Sequence, residues 1–146
     1  MSGPTDPAEA HFDKGLWGWD GTQWRKLPML WGYSDRYVEK EVDASADVGL
    51  NYLVFSTVPA GEIWVISSVV WANLISACST ITAQLYDGAE AYAVFVETPS
   101  VADVYKATLC NLVLKAGDNL RVDFSGCTAG DVLLAFASGY KMAIAE

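Results

Sequence analysis

Residues 116–124, Ala-Gly-Asp-Asn-Leu-Arg-Val-Asp-Phe, hold the pattern that decides the fold. The first four residues have the composition of a turn. In the next five, apolar and charged side chains alternate, in the order Leu120, Arg121, Val122, Asp123, Phe124. Because successive side chains of a strand point to opposite faces, this alternation predicts a half-buried β-strand that follows a tight turn.

The same arrangement of short apolar runs and turn signals continues on both sides of this stretch. Pro59-Ala60-Gly61 and Asp87-Gly88 are further turn signals, and the pair Ser67-Ser68 inside a long apolar run indicates a bend or bulge. The predicted strands are residues 50–58, 62–76, 80–86, 92–97, 104–114, 120–124 and 131–144. An antiparallel, jelly-roll-like sandwich of seven or eight strands fits this pattern better than an up-and-down barrel.

The chain divides by composition into an arm, residues 1–41, and a β-sandwich domain, residues 42–146. In the arm, Asp20-Gly21 predicts a two-residue hairpin turn that pairs Trp19 with Thr22 and Trp17 with Trp24. Trp17, Trp19 and Trp24 would then share one face. A face of three indoles needs a cover, which is either the chain's own sandwich or a neighbouring subunit or partner protein.

Composition excludes several classes of function. The 146 residues are 52% hydrophobic and 18% charged, with 9 basic and 18 acidic residues and a net charge of −9. We expect no nucleic-acid partner, because phosphate binding needs clustered Lys and Arg. No run reaches the roughly eighteen apolar residues of a membrane span, and the acidic N-terminus is unlike a secretory signal. We therefore expect a protein that is made in a host cytoplasm and needs no membrane.

Residues 63–75 and 132–137 are apolar at nearly every position, as if both faces of their strands were covered. The sequence predicts that a second copy of the chain supplies the extra layer. Trp64, Trp71 and Phe136 are the expected packing residues of this homo-oligomer. A trimer is favoured by analogy, since jelly rolls often associate about a threefold axis.

Little in the chain points to catalysis. The single histidine, His11, lies in a polar leader, and the three cysteines, Cys78, Cys110 and Cys127, have no metal-ligand spacing and read as small buried hydrophobes. Asp123 and Glu97 are the carboxylates placed on strands. We expect no catalytic residues, no metal and no cofactor, and a protein that is not an enzyme.

Residues 30–37, Leu-Trp-Gly-Tyr-Ser-Asp-Arg-Tyr, combine the side chains that anchor protein interfaces. The candidate anchors are Trp31, Tyr33, Arg36 and Tyr37. The same side chains could stack on sugar rings and bind hydroxyl groups, so a glycan site stays open as an alternative.

Two sets of residues suggest a family. Residues 15–27, which contain Trp19-Asp20-Gly21 and Trp24, resemble the "WDGxxW" openings of small structural proteins of tailed bacteriophages. Residues 58–66, 112–121 and 138–142 look like strand signatures of phage β-sandwich virion proteins, head decoration (cement) proteins among them.

The resemblance implies a non-enzymatic virion component, often trimeric, on the capsid surface. Its partner would be the major capsid protein or another virion protein, contacted partly through the arm. The same resemblance fits a tail- or fibre-associated module that binds a receptor or carbohydrate, and it does not separate head from tail.

Overall fold

The computed structural model describes residues 17–19, 24–26 and 33–144. The regular secondary structure of these residues consists of strands: β1 (Trp17–Trp19), β2 (Trp24–Lys26), β3 (Tyr33–Asp43), β4 (Gly49–Val54), β5 (Glu62–Asn73), β6 (Thr80–Tyr86), β7 (Ala91–Glu97), β8 (Lys106–Leu114), β9 (Asn119–Cys127) and β10 (Leu133–Ala143).

Eight of these strands form two four-stranded antiparallel sheets. Sheet I has the order β3-β10-β5-β8, and sheet II has the order β4-β9-β6-β7. The chain passes from one sheet to the other at each connection except the β6–β7 hairpin. This alternation gives two interleaved Greek keys, which is the jelly-roll arrangement. The all-β sandwich predicted from the sequence is confirmed.

The alternating residues 120–124 lie in β9, a central strand of sheet II. Leu120, Val122 and Phe124 are fully buried between the sheets, while Arg121 and Asp123 face outward. From sheet I, the core receives Ile66, Val69, Trp71 and Leu133.

A bulge interrupts the stretch of residues 63–75, in which apolar side chains occupy both faces. The register of β5 against β8 shifts between Ile66 and Ser68, and the register of β10 against β5 shifts at the same place. Ser67 is the extra residue, so inward-facing positions are even-numbered before it and odd-numbered after it. The bulge expected at the serine pair is confirmed.

Two features differ from the expectation, namely the boundary of the arm and the register of its hairpin. The division at residues 41/42 falls inside β3, whose Tyr33–Asp43 span pairs with β10 and belongs to sheet I. In the arm, β1 and β2 do form a hairpin, but Trp19 pairs with Trp24 and Trp17 with Lys26. Four residues therefore separate the strands where two were predicted, a connection length that hairpins also use.

Candidate functional site

The strands β7 and β8, which are the edges of sheet II and sheet I, lie on the same side of the sandwich. The ring of Trp71 on β5 meets the ring of Phe95 on β7 at 4.9 Å between centroids. Trp71 Nε1 also donates a hydrogen bond of 2.7 Å to Glu97 Oε2 on β7. We call the surface formed by residues 91–113, which includes both strands and their connection, the β7–β8 edge.

This edge carries much of the apolar surface that the described residues leave in solvent. It holds nine of their seventeen exposed large apolar side chains, and Leu109 is 89% exposed. The nine are Tyr92, Val94, Phe95, Val96, Val101, Val104, Tyr105, Leu109 and Val113. Exposed apolar side chains in this number along two edge strands mark a candidate interaction site.

The edge strands differ in the number of charged residues that they carry. The 23 residues of the β7–β8 edge include three charged ones, Glu97, Asp103 and Lys106, and Glu97 is engaged by Trp71. The edge strand β3, on the other side of sheet I, carries six charges in 11 residues. Charged side chains on an edge strand oppose the addition of another strand. The β3 edge is protected in this way, and the β7–β8 edge is not.

The connection between β7 and β8 is held in place by buried hydrogen bonds. Ser100, 5% exposed, accepts a hydrogen bond of 2.7 Å at its Oγ from the backbone N of Cys78. The backbone N of Asp103 donates to the carbonyl of Asn73 at 2.8 Å. The apolar side chains of this connection are therefore presented from an ordered segment.

The expected oligomer-packing residues occupy different places. Trp64 and Trp71 are 4% and 1% exposed in the core of their own subunit. Trp64 packs against Tyr37 at 4.9 Å and donates from its Nε1 to Glu62 Oε2 at 2.5 Å. These two indoles are unavailable to a second subunit. Phe136 is half-buried on the outer face of sheet I, between Lys40 and Val70 in register.

The expected arm anchors are likewise divided. Tyr37 is 3% exposed, and its hydroxyl donates to Glu39 Oε2 at 2.8 Å. Burial, and then this hydrogen bond, raise the pKa of Tyr37 well above its ordinary value. Tyr37 is thus a core residue and not an exposed anchor. Arg36 is exposed on β3, and Tyr33 is the first residue of that strand.

The tryptophan anchors are described only in part. Trp17, Trp19 and Trp24 belong to β1 and β2, where the description is limited to the backbone. Trp31 lies outside the described residues. The hypothesis that these residues anchor the arm stays a prediction.

The two strand-borne carboxylates do not form a pair. Asp123 lies on the outer face of sheet II with Arg121, whereas Glu97 faces Trp71 of sheet I. Cys78 and Cys127 are buried, with 3.7 Å between their Sγ atoms, and Cys110 is half-buried. Burial raises the pKa of the Cys110 and Cys127 thiols, which keeps them protonated. This agrees with cysteines used as small hydrophobes.

Within the part of the chain that the structure describes, no group of three or more His, Cys, Asp or Glu is placed to hold a metal ion. The same residues contain no helix of the length and apolarity that would cross a membrane.

Sequence reasoning predicted β7 and β8 but did not recognise their edge as a site. A signal was available, because residues 91–113 are poor in charge while residues 33–43 alternate charges along an edge strand. The strand order, which brings the two strands to the same side of the sandwich, could not be predicted from the sequence.

Comparison with known proteins finds no matching family model and no matching curated protein. Among solved structures, the chain is similar to a GH26-CBM35 β-(1,4)-mannanase of Podospora anserina (TM-score 0.42, 10% identity, 73% of this chain and 28% of the mannanase).

It is also similar to the disulfide-linked pili of Bacillus endospore appendages (TM-score 0.41, 9% identity, 83% of this chain and 100% of that chain). A third similar structure comes from the Gt strain of infectious bursal disease virus (TM-score 0.32, 15% identity, 86% and 36%). The chain thus spans less than two fifths of the mannanase and viral chains. Likeness at this level identifies no family and assigns no function.

Proposed function

We propose that this chain is a non-enzymatic assembly protein, specifically a virion structural protein that decorates a phage head shell as a homotrimer. The observation that carries the proposal is the β7–β8 edge, where two unprotected edge strands and nine exposed apolar side chains share one side of a rigid sandwich.

Self-association is the use that this edge fits best. Unpaired backbone groups and apolar side chains together would be an aggregation hazard in a free monomer. A closed ring of copies removes the hazard at the β7–β8 edge, because each copy covers this edge of its neighbour. Three copies around an axis at the β7–β8 edge achieve this closure, and the charged β3 edge of each copy stays in solvent.

The arm supports the proposal that the chain decorates a shell. Strand β3 begins at Tyr33 at the side of the sandwich away from the β7–β8 edge. The 32 residues before it include four tryptophans, at positions 17, 19, 24 and 31. These tryptophans are the residues through which we propose that the arm contacts the major capsid protein. Many weak contacts then stabilise the assembled shell by mass action.

Immunogold electron microscopy of purified particles from the virus that encodes the chain tests the location. We expect label over the head, at many positions per particle. Label confined to the tail would contradict decoration while leaving a structural role intact, and particles without the chain would contradict both.

A further inference from the structure

A second surface lies on the outer face of sheet II, on strands β4, β9 and β6. Neighbouring strands bring together five polar and aromatic residues: Tyr52 on β4, Gln84 and Tyr86 on β6, and Arg121 and Asp123 on β9. In register, Tyr52 pairs with Asp123, and Arg121 pairs with Gln84. We call these five residues the sheet II platform.

The guanidinium of Arg121 is held in one position by its neighbours. Its Cζ lies 4.7 Å from the Tyr52 ring centroid and 5.0 Å from that of Tyr86. Its Nε donates to Asp123 Oδ1 at 2.8 Å and its Nη2 to Asp123 Oδ2 at 3.1 Å. Gln84 Nε2 donates to the same Oδ2 at 2.5 Å. Such a network fixes the polar groups before any ligand arrives, which lowers the entropy that binding would cost.

Charge restricts the ligand. Arg121 and Asp123 neutralise each other, and the outward-facing residues beside them, Thr80, Thr82 and Ser125, are uncharged. The platform is thus unsuited to phosphate or to another strongly charged group, which would have to compete with the ion pair. A neutral ligand meets no such competition.

We propose that the sheet II platform binds a neutral saccharide. Tyr52 is 50% exposed, so its ring offers a planar apolar surface for the C–H face of a sugar. Asp123 takes up two of the five N–H groups of the Arg121 guanidinium, which leaves the other three to donate to sugar hydroxyls. The proposal is independent of the assembly function, since the platform lies on β4, β9 and β6 and uses no residue of the β7–β8 edge.

A glycan microarray that carries both neutral and anionic glycans, probed with the full chain, tests the proposal. We expect binding to neutral glycans, and Tyr52→Ala should weaken it by about tenfold or more, because ring stacking is lost. Tyr52→Phe should retain most of the binding. Val48→Ala is the control, since Val48 is 76% exposed outside both the platform and the β7–β8 edge, and it should bind as the unaltered chain does.

Three results would overturn the proposal. They are an array with no neutral glycan bound, binding confined to anionic glycans, and equal binding by the Tyr52→Ala and Val48→Ala variants. Thermal melting of each variant establishes that a loss of binding does not come from unfolding. Arg121→Lys is a second variant, which keeps the positive charge but removes the bidentate contact to Asp123.

Discussion

At the scale of single residues, a buried carboxylate ties two loops of the sandwich together. Asp131 is 1% exposed. Its Oδ2 accepts hydrogen bonds from Asn73 Nδ2 at 2.8 Å, Ser76 Oγ at 2.7 Å and the Thr128 backbone N at 2.8 Å. Burial raises the pKa of Asp131, but these three hydrogen bonds outweigh it, and the pKa is lowered overall.

We expect Asp131→Asn to lower the free energy of unfolding at pH 7 by about 1–3 kcal/mol, since an amide replaces a hydrogen-bonded carboxylate. A lowered folded-state pKa adds stability that is complete above about pH 4, the ordinary value for Asp, and is lost as pH falls through the folded-state pKa. The difference between the variant and the unaltered chain should therefore shrink in acid. Urea denaturation at pH 7 and at low pH measures it.

Asp47→Asn is the control, because Asp47 is exposed and its backbone N and O, not its carboxylate, bond to the Asn51 side chain. It should have little effect at either pH. A difference at Asp131 that stays constant between the two pH values would contradict the assigned ionisation.

At the scale of elements, the bulge in β5 depends on Gly139 in the neighbouring strand β10. Gly139 lies opposite Ile66, where the register between the two strands shifts. A Cβ at this position would overlap the carbonyl oxygen of Val65, and the other nearest atoms are also backbone. Rotation of a side chain cannot relieve that overlap.

We expect Gly139→Ala to destabilise the fold by about 3 kcal/mol, the upper part of the range for overpacking. Gly88→Ala is the matched control, because it strains the backbone but causes no steric overlap. Gly88 has a φ of +94° and nothing within 4 Å of an added Cβ, so only the left-handed backbone costs energy, about 1 kcal/mol. Melting temperatures of the two variants rank them, and a larger loss for Gly88→Ala would refute the steric role of Gly139.

The hairpin β1–β2 allows a prediction about the arm. Replacing Trp17, Trp19 and Trp24 together with Ala should leave the melting temperature and the oligomer mass nearly unchanged, because the core residues that the structure describes begin at Tyr37. Binding to purified heads that lack the chain should fall by about tenfold or more, as expected for loss of aromatic anchors. Co-sedimentation with those heads provides the measurement. Full binding by the triple variant would contradict the proposal that the arm anchors the chain to the head.

How much the sequence could predict differs between elements. Strands with turns at both ends, such as β6, follow directly from apolar runs and turn residues. Strand β3 is divided by a boundary at 41/42 that rests on composition alone, whereas its charged span pairs with β10 as an edge of sheet I. The burial of Trp64 and Trp71 does not follow from the sequence, because β5 is apolar on both faces and alternation cannot show which positions face inward.

At the scale of the whole molecule, the jelly roll separates three surfaces. The β7–β8 edge is apolar, the β3 edge is charged, and the outer face of sheet II carries the neutral polar platform. The proposed trimer buries the first surface and leaves the other two exposed. The high apolar content of the chain, 52%, is accounted for by a core and an assembly surface together.

The central claim is that copies of this chain associate through the β7–β8 edge, and sedimentation velocity over a range of concentrations tests it most directly. Three copies of the 15.8 kDa chain give a mass of about 47 kDa. Leu109→Glu should reduce the mass to that of one chain, while Val48→Glu, at a side chain 76% exposed outside the edge, should leave the trimer intact. An unaltered chain that stays monomeric at all concentrations, or a Leu109→Glu variant that stays trimeric, would contradict the account.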